Sequence, residues 1–562
     1  MPEDPEVRSF HLRSTRGIQR VAKKQGGQPT ARLIILPRSW AEGTWEKPYS
    51  TISEDRSRFN EALEPPDPEY AATCNAHDLR SAKLNGCLHL LDRPLQPGPI
   101  YVAKRGKCLV IAAGYHAVSI NFGLEASLWV VSRSIFDDLL ENDAPGPNPD
   151  KAKAQRLRTF LFPEYLIEPS RRAPVGSRNT QSINIFCAWL VGDSVIIISD
   201  FSRLVRLHFT SLDRFWTQDD LNIGSYHWRN TIFSAFPDGP DMVLEPIPAR
   251  EALLDWRRRV LDGTASGTDA IVKAITTNKS MAFGGFGRHL ANDFLHVVKI
   301  PPLLSARTVC QSDRMFDSIM DHIFVYMAQW SSDRFIKQCC TDVNSLNPFT
   351  FNASQERNYH SGYVYVHAKD MVRVTVDEYN GFVELGYLDP DHTIGAFYTF
   401  ISSFTLSQCE PLGGGYKFLK VHQYEEVGKK RPLRAFSVIL AKFPKTDMWR
   451  PSTENWTDIR MRGLATTLGP ASFREAMQNR PLFGPAVPKL VRGPGRPAKP
   501  ERTGKGGRPR TSTCEAQLQI PKYLTTGRKR KRSPSPEPEP EPEPATLSPR
   551  KTRSSSRRKT QI

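Results

Sequence analysis

Short apolar runs, broken by Gly, Pro or charge, crowd residues 87–131. They are Cys87–Leu91, Ile100–Ala103, Cys108–Ala112, His116–Ile120 and Leu128–Val131. Runs of this length and spacing predict an antiparallel sheet. Ala31–Leu36 reads as a strand ahead of it, and Ile183–Leu190, Ser194–Ile198 and Leu204–Phe209 as a second strand group. Helices are expected at Ser134–Glu141 and Lys151–Phe162. In the middle the period changes to that of a helix. Ala249–Leu261 keeps Leu253, Leu254, Trp256, Val260 and Leu261 to one side, and Gly263 supplies a stop. Thr268–Thr277 and His289–Val298 follow, the latter ending before Pro301–Pro302. Asp313–Trp330 has the clearest pattern, with Met315, Phe316, Ile319, Met320, Ile323, Phe324 and Met327 on one face. Beyond residue 361 strands are predicted again, at 362–367, 371–376, 382–388, 396–405, 416–422 and 436–443. Asn380–Gly381 marks a hairpin turn between two of them. Helices near 458–468 and 472–478 would close the folded body.

The pattern therefore gives an α+β chain in which two β-rich regions flank a helical middle, followed by a long disordered basic tail. The expected divisions are a disordered N-terminus at 1–30, a β-rich α+β region at 31–248 and a helical region at 249–345. An antiparallel meander with closing helices at 346–480 and the tail at 481–562 complete them. The first 30 residues are polar and basic, with no apolar run.

Charge changes this picture by its location. The chain of 562 residues carries a formal +18. Residues 489–562 hold 20 Lys and Arg against 6 Asp and Glu, so the tail contributes +14 and everything before it only +4. A balanced body with a flexible cationic tail points to a polyanionic partner. Nine irregularly spaced cysteines fit a reducing compartment better than a disulfide framework. The N-terminus has no secretory pattern. The apolar runs, such as Val195–Ile198, are far shorter than the ~20 residues needed to cross a bilayer, so no membrane partner is expected.

Within the tail, Val491–Pro500 and Lys505–Arg510 each set Gly-Arg-Pro among further Arg and Lys. Gly lets the backbone approach a surface, and Pro keeps the segment extended. An Arg held so suits the narrow, electronegative minor groove of an A·T tract. These segments resemble the AT-hook, a DNA-binding motif of chromatin proteins. In place of its Arg-Gly-Arg-Pro core they read Pro494-Gly495-Arg496-Pro497 and Gly506-Gly507-Arg508-Pro509. The resemblance implies DNA contacts from Arg492, Gly495, Arg496, Pro497, Lys499, Lys505, Gly507, Arg508, Pro509 and Arg510. Arg528, Lys529, Arg530, Lys531 and Arg532 form a nuclear-localisation or phosphate-binding run. Ser533, Ser535 and Ser548, each before Pro and beside basic residues, are candidate phosphorylation sites, where phosphate adds about −1.5 to −2 of charge.

The usual catalytic signatures are missing. There is no phosphate loop, no His-Glu-x-x-His, and no His followed two places later by Asp or Glu. Phe283–Gly287 and Leu412–Tyr416 are Gly-rich and read as turns. Cys74, His77, Cys87 and His89 have partial zinc-ligand spacing, but their ordinary reading is unliganded. Asp200, after the strand 196–198, faintly resembles an integrase carboxylate. It is explained equally by a turn. No metal or other cofactor is expected.

The main expectation is a nuclear, chromatin-associated protein with A·T-rich double-stranded DNA as partner and a protein partner for its body. The alternative is a nucleic-acid- or chromatin-modifying enzyme delivered by the same tail. With no catalytic motif legible, the sequence leans away from an enzyme.

Overall fold

The computed structural model describes residues 2–36, 51–84, 86–123, 126–145, 159–167, 182–200, 203–340, 348–349, 353–369, 371–388, 416–430, 432–438 and 456–458. The chain divides into a unit ending at Pro488 and a second unit, Lys489–Ile562, in which no residue is described. The fold class is α+β, as its hydrophobic pattern predicts.

A nine-stranded sheet forms the first layer. Its strands are β1 (Thr30–Ile35), β2 (Thr51–Arg58), β3 (Gly98–Arg105), β4 (Cys108–Ala113), β5 (His116–Asn121), β6 (Ala126–Ser132), β7 (Ile185–Val191), β8 (Ser194–Asp200) and β9 (Arg206–Leu212). Their order is β2-β9-β5-β4-β3-β1-β7-β8-β6. All neighbours run antiparallel except β2 and β9. Both faces are covered. In β4, Leu109, Ile111 and Ala113 enter one core while Cys108, Val110 and Ala112 enter another. This is why β4 reads as an unbroken apolar run rather than an alternating one.

The first 30 residues are not disordered. Asp4–Gln25 is a 22-residue helix, α1, closed by Gly26 at φ 73°. Glu3 and Glu6 form a reciprocal capping box at its start, and Pro5 occupies its first turn. Val7, Phe10, Ser14, Gly17 and Val21 are its buried stripe. Two of these five are Ser and Gly, so the stripe is invisible to a hydrophobicity reading. Gly17 lets the helix approach the sheet closely: a Cβ there would lie 3.0 Å from Val130 Cγ1 of β6, tighter than ordinary contact. Helix α1 touches β3 and β4 as well as β6 and β8, so the sheet curls around it. Its other side reaches the helical layer, where Arg16 donates to the Cys340 carbonyl at 2.9 Å.

That layer contains α2 (Pro246–Leu261), α3 (Ile271–Thr277), α4 (Arg288–Val297), α5 (Ala306–Gln311), α6 (Asp313–Ala328) and α7 (Asp333–Cys339). The Met- and Phe-rich stripe of α6 is ordinary core: Phe316, Ile319, Met320, Ile323 and Met327 are all buried. The last region departs furthest from expectation. Asn380–Gly381 lies inside a helix, Val376–Glu384, started by a Thr375–Glu378 capping box. The capping box outweighs the turn signal of Asn-Gly. The 382–388 strand is absent for the same reason, and 362–367 forms no strand either. Met371–Thr375 pairs with Tyr416–Lys420, and His422–Glu426 lies between Arg434–Ser437 and Trp456–Asp458. The described strands thus make two small sheets, not one meander. Thr159–Leu161 is strand where the helix 151–162 was expected. Residues 396–405, 472–478 and most of 151–162 and 458–468 lie outside the described residues. No described helix is long and apolar enough to cross a membrane.

Candidate active site

Buried charges converge where the start of α1 meets the Gly-rich loop 283–287 and the start of α4. Glu3 is central. One of its carboxylate oxygens accepts from His289 N at 2.8 Å. The other accepts from Gly287 N at 3.1 Å and Leu290 N at 2.8 Å. A carboxylate is favourable there, because the first amides of a helix have no partner of their own and carry its positive end. The loop is built for this approach. A Cβ on Gly287 would lie 2.5 Å from Glu3 Oε1, and Gly285 adopts φ +86° with the Asp4 side chain against it. Phe283–Gly287 is a turn, as its composition indicates, and it also forms the seat of the N-terminal segment.

Glu6 lies one turn further on and accepts from Glu3 N at 2.9 Å. Burial, and then the neighbouring charge of Glu3, push its carboxyl up to about 7, with His289 opposing. Glu6 therefore exchanges a proton near neutrality. His289 Nε2 sits 2.9 Å from Asp293 Oδ2, and its Nδ1 is 3.2 Å from the Tyr359 hydroxyl. Burial opposes the charged imidazole, yet Asp293 prevails and raises its pKa. Asp293 also accepts from the amides of Tyr365, Val366 and His367, at 2.8–2.9 Å.

The cationic side comes from the β3–β4 hairpin. The Lys104 ammonium, 2% exposed, is held between Asp4 and Asp241, the latter at 3.0 Å. Burial alone would raise the Asp241 pKa. Lys104, Arg8 and the amides of Gly106 and Leu244 instead hold it well below the usual carboxylate range. Lys107 donates to the Phe286 carbonyl at 2.8 Å and pairs with Asp238 at 3.0 Å. Asp238 in turn accepts from Gly285 N at 2.7 Å, which fixes the loop to the hairpin. Arg288 stands exposed at the first position of α4. Helix α1 adds Arg13, Arg16, Arg20, Lys23 and Lys24 along its length.

The sequence pattern pointed to none of these residues. The signals present were the acidic start Glu3-Asp4-Pro5-Glu6, the Gly-rich loop, and His289 and Asp293 four apart on one helix. None of them matches a catalytic spacing by itself. Among the described residues, the sequence candidates Cys74, His89 and Asp200 are not part of this site. Arg492, Gly495, Arg496, Pro497, Lys499, Lys505, Gly507, Arg508, Pro509 and Arg510 lie outside the described residues. So do the run 528–532 and Ser533, Ser535 and Ser548. Asp200 caps a turn, accepting from Leu204 N and Val205 N at 2.5 and 2.7 Å. Cys74 lies 3.5 Å from the Leu91 carbonyl, and His89 Nε2 bonds Glu54 at 2.6 Å. Among the described residues no group of three or more His, Cys, Asp or Glu is placed to hold a metal ion.

No protein-family model and no curated protein matches the chain. Solved structures do align with it. One is an inhibited LlFpg in complex with DNA containing N7-benzyl-Fapy-dG, at 13% identity, covering 78% of this chain and 100% of that one, with a TM-score of 0.35. A second is MutM with DNA containing carbocyclic 8-oxo-G, at 14% identity, 67% and 95% coverage and a TM-score of 0.32. A third is the Lactococcus lactis formamido-pyrimidine DNA glycosylase bound non-covalently to DNA containing an AP site. It shows 14% identity, 42% and 65% coverage and a TM-score of 0.26. Superpositions at these scores establish no shared fold, and no residue role is carried over from them.

Proposed function

We propose that the chain is a DNA-modifying enzyme whose catalytic centre is the Glu3–Glu6–His289 cluster and whose basic tail holds the substrate. The observation behind this reading is the pairing of unlike carboxyl groups. Burial and its neighbour push the Glu6 carboxyl up to about 7, while the Glu3 carboxyl is held by three backbone amides at the α4 N-terminus. Two neighbouring carboxyl groups pushed to different roles are the working pair of glycosidic bond cleavage. In DNA that bond joins base to sugar. Water would add to the sugar C1′ as its bond to the base breaks, with Glu6 giving its proton to the departing base and regaining one from that water, and Glu3 stabilising the positive charge that develops on the sugar. Lys107 and Arg288 supply cations for the adjoining phosphates.

The tail serves delivery. Its charge of +14 and the two hook-like segments around Arg496 and Arg508 suit the minor groove of A·T-rich duplex DNA. The run Arg528–Arg532 suits nuclear import. Ser533, Ser535 and Ser548 are where phosphate would weaken both. A chromatin-associated binding protein without catalysis is the second reading, and the same tail supports it.

The test is incubation of the full chain with duplex DNA containing 8-oxo-G or an AP site, the lesions of the DNAs in the aligned structures, and with undamaged duplex. Base release or strand cleavage that falls at least 100-fold in Glu3→Gln and Glu6→Gln, with duplex binding retained, is expected. Tight binding without any product in the wild-type chain would leave the binding-protein reading in its place.

A further inference from the structure

A separate cavity of about 340 Å³ opens at the opposite end of α4 from Glu3. Ten residues of helix put it about 15 Å away. Its walls come from Val298–Ile300, the start of α6, and the helix Val376–Glu384 with the residues just after it. Three features give it a chemical character. Lys299 and Arg314 face it against a single carboxylate, Glu384. Val298, Ile300, Met315 and Leu385 add apolar surface, and Tyr387 adds a ring. Its volume is at the lower end of the range of small-molecule sites, about 300–1,000 Å³.

Lys299 is the informative residue. It occupies the position after the end of α4 with φ +54°, where Gly is strongly preferred. The left-handed turn ends α4, with Ile300 N bonding the Leu295 carbonyl at 2.9 Å, but a Lys in it carries strain that a Gly would not. Gly381 leaves room for its ammonium, since a Cβ at 381 would lie 2.1 Å from Lys299 Nζ. The ammonium approaches the Phe382 ring at 5.7 Å and has no carboxylate partner among the described residues. Strain retained at a lysine, with its charge unpaired and set against a cavity, marks a site rather than a structural need.

We propose that this cavity binds a small organic anion with a phosphate head and a flat or apolar body, of the nucleoside monophosphate class. The phosphate lies between Lys299 and Arg314, and the body against Met315, Leu385 and Tyr387. This assignment is independent of the chemistry at Glu3 and Glu6.

Thermal unfolding of the full chain with deoxyadenosine monophosphate, deoxyadenosine or inorganic phosphate tests it. The monophosphate at millimolar concentration is expected to raise the Tm by several degrees. Equimolar nucleoside or phosphate should do less. Lys299→Gly is the discriminating variant, because it removes the ammonium and relieves the backbone. Its own Tm should stay level or rise, while the ligand-induced shift falls at least threefold. Arg314→Gln, at an exposed position, should reduce the shift without altering the Tm. An unchanged shift in both variants overturns the proposal. So does a shift produced equally by inorganic phosphate, or no shift with any of the three.

Discussion

At single residues, energy is concentrated in the charges under the start of α1. Lys104 is surrounded by two carboxylates that are themselves buried. Lys104→Met removes the ammonium that both Asp4 and Asp241 pair with and leaves Arg8 and backbone amides as their remaining partners; breaking a buried pair this way costs about 3–5 kcal/mol. Denaturant midpoints will show it, and a variant within 1 kcal/mol of wild type would mean that water reaches these carboxylates. Glu6 gives a prediction of opposite flavour. Its folded pKa of about 7 is above the ordinary 4.5, so the native state binds the extra proton. Its contribution to stability is fully present below pH 4.5 and is lost as pH rises to 7. Glu6→Gln keeps an oxygen to accept from Glu3 N but cannot ionise. The stability of the variant relative to wild type should therefore grow steadily from pH 4.5 to 7 and level off above it. A difference independent of pH would contradict the buried, proton-holding carboxyl.

Elements show how much of this was legible. Strands β3 to β9 announce themselves because both faces of the sheet are buried, and helices α2, α3, α4 and α6 because their stripes are apolar; the short α5 (Ala306–Gln311) is not legible in the pattern. Helix α1 does not, since Ser14 and Gly17 sit in its stripe and its buried first turn is Glu3, Asp4, Pro5 and Glu6. Nothing local indicates that these acids are inside. Their burial is compensated by amides and ammonium groups about 100 to 290 positions away, at Lys104 and at 287–290. The site was hidden for the same reason. It is assembled from an N-terminus, a hairpin and a loop whose separate signals read as solvated acids, basic residues and a turn. Gly287→Ala tests this joint. The new methyl group would collide with the Glu3 carboxylate, so the carboxylate must leave the α4 N-terminus or the loop must move. A loss of about 1–3 kcal/mol is expected, with turnover falling further than the lost stability explains. Wild-type turnover in Gly287→Ala would show that the seating of Glu3 is unimportant.

For the whole molecule, acid and salt act on different parts. Burial depresses His11 and His296 to about 4 and His367 to about 3. A histidine with a lowered folded pKa contributes stability above its ordinary 6.5 that is lost as pH falls. The body should therefore lose stability below pH 6.5 through all three, and Glu6 moves the opposite way over part of that range. Salt acts on the tail, because most of the excess charge is there and the body carries only +4. Each neutralised phosphate adds about −0.9 to the slope of log affinity against log salt on duplex DNA. Twenty tail cations, even if only a third of them engage, correspond to a slope of about −6 from the tail. Deleting residues 489–562 should flatten the measured slope by several units and weaken binding most at low salt. Arg496→Ala with Arg508→Ala should remove any preference for A·T-rich duplex while changing the slope by only about 2, since each Arg is one contact. Turnover at saturating DNA should survive both changes, because no residue of the Glu3–Glu6–His289 centre lies beyond 488. An unchanged salt slope after the deletion would move DNA binding to the cations of α1, Lys107 and Arg288, and leave the tail without a part in holding substrate.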